Sequence, residues 1–440
     1  MGETLVATHH VQHTAPDGCR RSTGRRLALV ADDVPRPFDF GSGDGDDPFG
    51  KMFGGMFGGM FGDMMKMFQG QGPIQWDTAR QIARSTATSG TPEPNIDPKV
   101  RIEFEALARI ATMQVQMGSG IGDRCDIMGL EPDMVTSDQS AQRTLDDYRP
   151  LFTDLATALG GPRADDRDAE SADPMADMFA NLTGMLAPMT MGMTVGSMVG
   201  LIAKRSLGQY DLPLPRPVGN RVALLAHNID GFATQWDLPR DDVRMWTLVR
   251  EFVTHQMYGL EHVRDAVNSL VSAHVAAFRP DPRAISEKLT AIESSDPTDM
   301  MASLQKILGD PELLLGAVRT PEQDHLRPRL DTVLSVVIGW SDYMTDLIGG
   351  RILGNPARIA EAARRRRIDG GEETAFVERL LGVHITRQQV EAGRSFVDGV
   401  VQRAGTDGLS PLYEAAGNLP TPAELEAPGL WLARLEINGD

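Results

Sequence analysis

Only two cysteines, Cys19 and Cys125, occur in 440 residues. Neither lies in a C-x-x-C pair, which excludes a disulfide framework and a thiolate metal cluster. Basic residues are outnumbered, 43 Lys and Arg against 61 Asp and Glu, for a formal net charge of −18. Nucleic acid and anionic membranes select for positive surface, so neither is expected as a main partner. The segment MGETLVATHHVQHTAPDGCRRSTGRR at the N-terminus holds no apolar run of signal-peptide length, and with so little cysteine a cytoplasmic location is expected. No G-x-G-x-x-G, P-loop or G-x-S-x-G stands in a setting that would give it meaning. Strand signals are equally scarce, the apolar run RVALLAH at 221–227 being the best.

What is present begins with 41% hydrophobic residues, enough for a sizeable core in a chain of two or three domains, or of one body with long tails. Residues 1–48 are rich in Gly, Asp, Pro and Arg without periodicity and are expected to form a disordered tail, with His9, His10 and His13 in it. Residues 49–70 form an arm built on FGKMFGGMFGGMFGDMMKMF, which sets Met52, Met56, Met60 and Met64 on one helical line beside Phe53, Phe57 and Phe61. The intervening glycines each cost a helix about 1 kcal/mol relative to Ala. The arm therefore gains order only by docking, on its own domain or on a sister subunit through residues 49–68; the alternatives are an aggregation-prone low-complexity leader and, last, a membrane-surface segment. Lys51, Asp63 and Lys66 exclude a bilayer span.

Helical patterning begins at Gln71, and the organisation expected is an N-terminal helical region, 71–215, followed by a second helical domain, 216–440. QGPIQWDTARQIARSTAT opens with Pro73, and VRIEFEALARIATMQVQ follows the stop signal EPNIDP. A charged linker, 160–176, precedes 26 uncharged residues from Met178 to Ala203. Pro188 and the polar residues Asn181, Thr190 and Ser197 are expected to divide that run into two buried soluble helices rather than a membrane span. Downstream, helices are predicted over DDVRMWTLVREFVTH, EHVRDAVNSLVSAHVAAF and RLDTVLSVVIGWSDYMTDLIGGRIL. The fold class is mainly α-helical, α+β with little β.

Chemistry concentrates in LVREFVTHQMY, residues 248–258, where a zinc peptidase helix would read His-Glu-x-x-His. Glu251 is in place, but Arg250 and Thr254 flank it, and His255 falls one residue out of register. Glu251, His255 and His262 share a helical face. His255 and His262 are separated by about 10 Å of rise, so one metal would reach both only if the helix broke near Gly259. His262 and His274 are expected on exposed or half-buried faces, and Trp246, Trp340 and Trp431 in the core. Arg364 to Arg367 are read as complementing a helix C-terminus. Asp342 and Asp346 are read as solvent-facing or paired with arginine.

Several stretches together carry a family resemblance: QGQGPIQWDTARQIA, EPNIDP, LGQYDLPLP, the segment Asn228–Arg264, PEQ with the helix ending in GWSDYMTD, RRRRIDGG, ERLLG and NLPTPAELEAPGLWLAR. Across residues 48–435 the chain resembles a largely actinobacterial family of zincin-like, zinc-dependent metallopeptidases or hydrolases of unknown substrate. Singly, only the central helix has a chemical meaning. The resemblance implies a zincin-like fold with Arg250 and Thr254 at two ligand positions, Glu251 at the general base, and Ile338, in Ile338-Gly339-Trp340-Ser341-Asp342, at the third ligand. Arginine offers no lone pair, threonine is a poor zinc ligand and isoleucine is none. The expectation is a pseudoenzyme without a metal cofactor, in which the Arg250 guanidinium fills part of the metal's space, pairs with a buried acid such as Glu251, and the cleft binds a protein or peptide. The alternatives are an active zinc metallohydrolase with ligands relocated to Glu251, His255 and His262, and a scaffold that works through the 49–68 arm.

Overall fold

Threonine and aspartate caps start many of the helices where the sequence places them. Asp97 accepts the Lys99 amide ahead of Pro98, and Thr136, Thr320 and Thr386 each form a capping box with a glutamine three residues on. The structure, a computed structural model, describes residues 72–159, 174–279, 320–368, 381–383 and 385–439. The expected 1–48 tail, its histidines and the 49–70 arm lie outside the described residues. Within the unit Phe61–Asp440 the helices are α1 (Trp76–Ala87), α2 (Pro98–Gly118), α3 (Ser137–Asp147), α4 (Arg149–Leu159), α5 (Pro174–Arg205), α6 (Ala226–Gln235), α7 (Arg240–Gly259), α8 (Glu261–Ala276), α9 (Pro321–Ile352), α10 (Pro356–Ile368), α11 (Arg387–Ala404), α12 (Pro422–Glu426) and α13 (Pro428–Gly439). The architecture is mainly helical, as the patterning implied.

The strand signal at RVALLAH forms β2 (Arg221–Leu224), paired in parallel with β1 (Glu131–Met134) as a two-stranded sheet. β1 reads EPDM and carries no strand propensity. It is held from outside, by the ladder to β2 and by Asp133, which pairs with Arg143 and, at 3.2 Å, with Arg221.

Pro188 does not divide the uncharged run. α5 continues through it for 32 residues, and the Pro188 carbonyl accepts the Gln75 amide at 2.9 Å. The packing partner explains this continuity. Gly192, Gly196 and Gly200 recur every fourth residue along α5, and a Cβ at Gly196 would overlap the Ala79 carbonyl of α1. α1 answers with Ala79, Ala83 and Ala87, all buried, so two helices with small residues at the crossing approach backbone to backbone. Such contact supplies the dispersion energy that offsets a proline inside a helix. Met189 and Met193 lie on the open side, each 45% exposed, while Val195, Met198 and Val199 are buried. Among the described residues no helix is long and apolar enough to cross a membrane.

α7 is the centre of the fold. It contacts α2, α6, α8, α9 and α10, and from Val243 to Tyr258 every residue except His255 is buried. Trp246, Trp340 and Trp431 are core residues, as expected. A helix enclosed on all sides must also bury its charges, and charges taken from water need partners. Arg244, 1% exposed, is satisfied by Asp230 at 2.5 and 2.7 Å and by Glu103 at 2.8 Å. The other buried pair on α7 is Arg250 and Glu251.

Candidate functional site

Glu251 is fully buried, and each carboxylate oxygen has a donor. Oε1 accepts from Arg250 Nη1 at 3.0 Å, and Oε2 accepts the backbone N–H of Tyr210 at 2.9 Å. The second donor comes from residues 206–216, a segment that crosses α7 at this point. Leu225 N–H donates to the Leu207 carbonyl at 2.9 Å and Gln209 N–H to the Ala223 carbonyl at 3.1 Å, which stitches the crossing onto β2. The hydroxyls of Tyr258 and Tyr148 donate to the carbonyls of Pro213 and Leu214 at 2.8 and 3.1 Å. At Gly208 the approach is so close that a Cβ would overlap the Glu251 carboxylate. Only glycine lets the backbone pass.

Asp211, on the same segment, is the second acid. Its Oδ1 accepts from Arg250 Nη1 at 2.8 Å, its Oδ2 accepts the Leu207 amide at 2.6 Å, and Arg366 Nη1 stands 3.5 Å from Oδ2. One guanidinium nitrogen thus bridges two carboxylates. Burial drives the Glu251 pKa from its ordinary 4.5 up to about 7, with the Asp211 charge adding to the rise and Arg250 and the Tyr210 amide opposing it. For Asp211 burial also disfavours the anion, but Arg250, Arg366 and the Leu207 amide outweigh it and hold the carboxyl below its usual range. Arg250 is held up in turn: burial is outweighed by Asp211, Glu251 and Asp342. The site is thus arranged so that Asp211 carries the charge and Glu251 is the acid that gives way.

The remaining residues singled out in the sequence fall around this pair without converging on one point. Thr254 Oγ1 donates back along its helix to the Arg250 carbonyl at 2.9 Å. Ile338 is buried, 7% exposed, on α9, which packs against α7. One turn further on, Asp342 accepts two bonds from Arg367, at 3.2 and 3.3 Å. His255 Nδ1 lies 2.9 Å from the Tyr210 hydroxyl, and burial lowers its pKa to about 4, with the Gly219 backbone pulling weakly the other way. The helix does break at Gly259, but His262 then faces the Leu412 carbonyl at 2.9 Å. Among the described residues no group of three or more His, Cys, Asp or Glu is placed to hold a metal, so Glu251, His255 and His262 do not form one.

Two expectations need correction. His274 is buried, 4% exposed, packed edge-on against Phe278 where α8 meets the start of α9. The arginine run does more than complement a helix end. Arg364 and Arg365 reach Glu361, but Arg366 and Arg367 turn inward to Asp211 and Asp342. Asp346 is paired with Arg394 at 2.7 Å. Gly208, Tyr210, Asp211 and Arg366 are the site residues that sequence reasoning missed. LGQYDLPLP did have a chemical meaning, and the signal was the Arg250-Glu251 pair, which inside an apolar helix demands partners from elsewhere.

Residues 74–432 match the family described as zincin-like metallopeptidase. The chain belongs to that family. This zincin-like protein also resembles the crystal structure of a candidate hydrolase with a novel fold from Chloroflexus aurantiacus, with a TM-score of 0.56 at 20% identity over 82% of this chain and 99% of that one. At that identity the likeness is one of fold. Among curated proteins the zincin-like chain finds no match.

Proposed function

We propose that this zincin-like protein is a non-catalytic member of its family, with Arg250, Thr254 and Ile338 at the positions where zinc ligands are expected, and that its cleft binds a protein or peptide instead of cleaving it. The observation that carries the reading is the state of Glu251. A zincin's glutamate acts as a general base on a metal-bound water, but here both of its oxygens are engaged, by Arg250 at 3.0 Å and by the Tyr210 amide at 2.9 Å, with Gly208 packed against the carboxylate.

The donor set does not fit zinc. A guanidinium has no lone pair to give, the Thr254 hydroxyl is spent on a backbone carbonyl, and Ile338 is a hydrocarbon. Charge supplies a reason for the replacement: two neutral histidines, one carboxylate and Zn²⁺ sum to +1, and so does one arginine beside Thr and Ile.

Elemental analysis of purified protein tests the reading. Zinc should be far below one per chain and a chelator should leave thermal stability unchanged, whereas stoichiometric zinc overturns it. The variant Arg250→His/Thr254→His/Ile338→Glu should gain zinc affinity. The reading extends to residues 49–68 as an oligomerising arm. Their deletion should lower the assembly mass in light scattering, and an unchanged mass removes that part.

A further inference from the structure

One face of α2 is apolar and open. Ile102, Ala106, Ile110, Met113 and Met117 fall within about 80° of one another at 100° per residue, and all five are exposed, the four larger ones by 43–69%. They form a stripe about 22 Å long, on the side of the helix turned away from Phe104, Ala108, Ala111 and Val115, which face the core. Met128, also exposed, adds to its C-terminal end, where Gln116 holds the neighbouring Ile127 amide at 3.0 Å. Among the described residues no other helix leaves so long an apolar face open: Met189 and Met193 on α5, and Leu430 and Ile437 on α13, are pairs.

The area of the stripe discriminates between occupants. Full burial of one aliphatic side chain represents about 60–120 Å², so these half-exposed residues offer roughly 300 Å² at most. Pairing of α2 with the α2 of a second copy would bury about 600 Å² over both surfaces, short of the roughly 1,200 Å² at which stable interfaces begin. A two-fold dimer that exchanges one segment from each copy makes the contact twice and reaches about 1,200 Å².

Residues 49–68 have the matching dimensions. Laid on a helix, Met52 to Met64 span about 18 Å, with Phe53, Phe57 and Phe61 on the adjacent line. Methionine sulfur and aromatic rings attract one another beyond their burial, and unbranched methionines adapt to the surface they meet. Charge favours the same partner. Arg101 and Arg109 flank the stripe with Glu105 between them, a local surplus of one positive charge, and Asp44, Asp46 and Asp47 precede the arm.

We propose that the α2 stripe receives the 49–68 arm of a second copy of this chain, exchanged reciprocally in a two-fold dimer. The inference rests on the proposed function in one respect, the reading of residues 49–68 as an oligomerising arm, and adds the surface on which that arm lands.

The test compares the full chain in light scattering with three variants: deletion of residues 49–68, Ile102→Glu/Met117→Glu on the stripe, and Leu430→Glu/Ile437→Glu on α13 as the control. The deletion and the stripe variant should each halve the assembly mass, and the control should leave it unchanged. Met117→Gln/Met128→Gln replaces the stripe variant if the glutamates prevent folding. An amine cross-linker should give a dimer band in which Lys99, at the start of the stripe, is joined to Lys51 or Lys66 of the arm. A dimer band with Lys99 joined only to Lys99 marks paired α2 helices and overturns the inference. So does a folded stripe variant that keeps the parent's mass where the deletion lowers it, or a control that dissociates equally. A deletion that leaves the mass unchanged is the distinct result that removes the oligomerising reading of the arm, and this inference with it.

Discussion

Arg250 Nη1 lies 3.0 Å from Glu251 Oε1, so the cation that faces the buried glutamate is supplied by the preceding residue of the same helix. Adjacent residues on an α-helix point about 100° apart. The pair meets only because the long arginine side chain folds back, and it does so toward Asp211, which holds the same nitrogen at 2.8 Å.

That geometry makes Arg250 the counter-charge for two buried acids. Arg250→Met should destabilise the protein by about 3–5 kcal/mol, the cost of leaving buried carboxylates unpaired. Arg250→Lys should lie between Met and the unmodified protein, since a lysine carries the charge without the fork. Urea denaturation at neutral pH measures both. A methionine variant as stable as the parent would remove the ion pair from the account of this core.

Glu251 predicts a pH dependence with a definite sign. Its folded pKa, about 7, lies above the ordinary 4.5, so between those values the folded state holds more protons than the unfolded one, and this group's contribution to stability falls as pH rises. Glu251→Gln cannot titrate. Its stability relative to the parent should therefore improve between pH 4.5 and pH 7, by about 1.4 kcal/mol for each unit of the shift expressed. Parallel melts across that interval check this, and a flat difference refutes it.

His255 has the opposite sign. Burial lowers its pKa from 6.5 to about 4, so the unfolded chain takes up a proton that the folded state refuses. Stability is then lost as pH falls from about 6.5 toward 4. His255→Gln should remove that part of the acid slope even if the baseline shifts through loss of the 2.9 Å contact with the Tyr210 hydroxyl. Guanidinium melts at several pH values would show it, and an unchanged slope would assign the acid sensitivity elsewhere.

Gly208→Ala should cost about 1–3 kcal/mol, as overpacking does when the obstructing atoms cannot retreat, because its methyl would overlap a carboxylate held at both oxygens. Gly219→Ala is the control, since a methyl there meets nothing closer than the Pro217 carbonyl at 4.0 Å. Differential scanning calorimetry compares them. Equal melting temperatures would mean that the 206–216 crossing is looser than it stands.

Helix existence and type were legible along most of the described chain, because caps, proline starts and apolar spacing are local properties. The departures share a cause. EPDM pairs as β1 because β2 is already there, and α5 runs through Pro188 because the small residues of α1 meet its Gly192, Gly196 and Gly200. In both places a partner distant in sequence outweighed the local preference.

The candidate site divides the same way. From sequence alone follow the helical class and the central helix that carries Arg250, Glu251 and Thr254, since residue identity and 3.6-residue spacing determine these. The tertiary structure decided what the glutamate faces: Asp211 and the Tyr210 amide arrive from about 40 positions upstream, and Arg366 of α10 reaches Asp211 in turn. No local pattern encodes those meetings. They follow from enclosing α7 on every side, which leaves buried charges whose remaining partners must come from other elements.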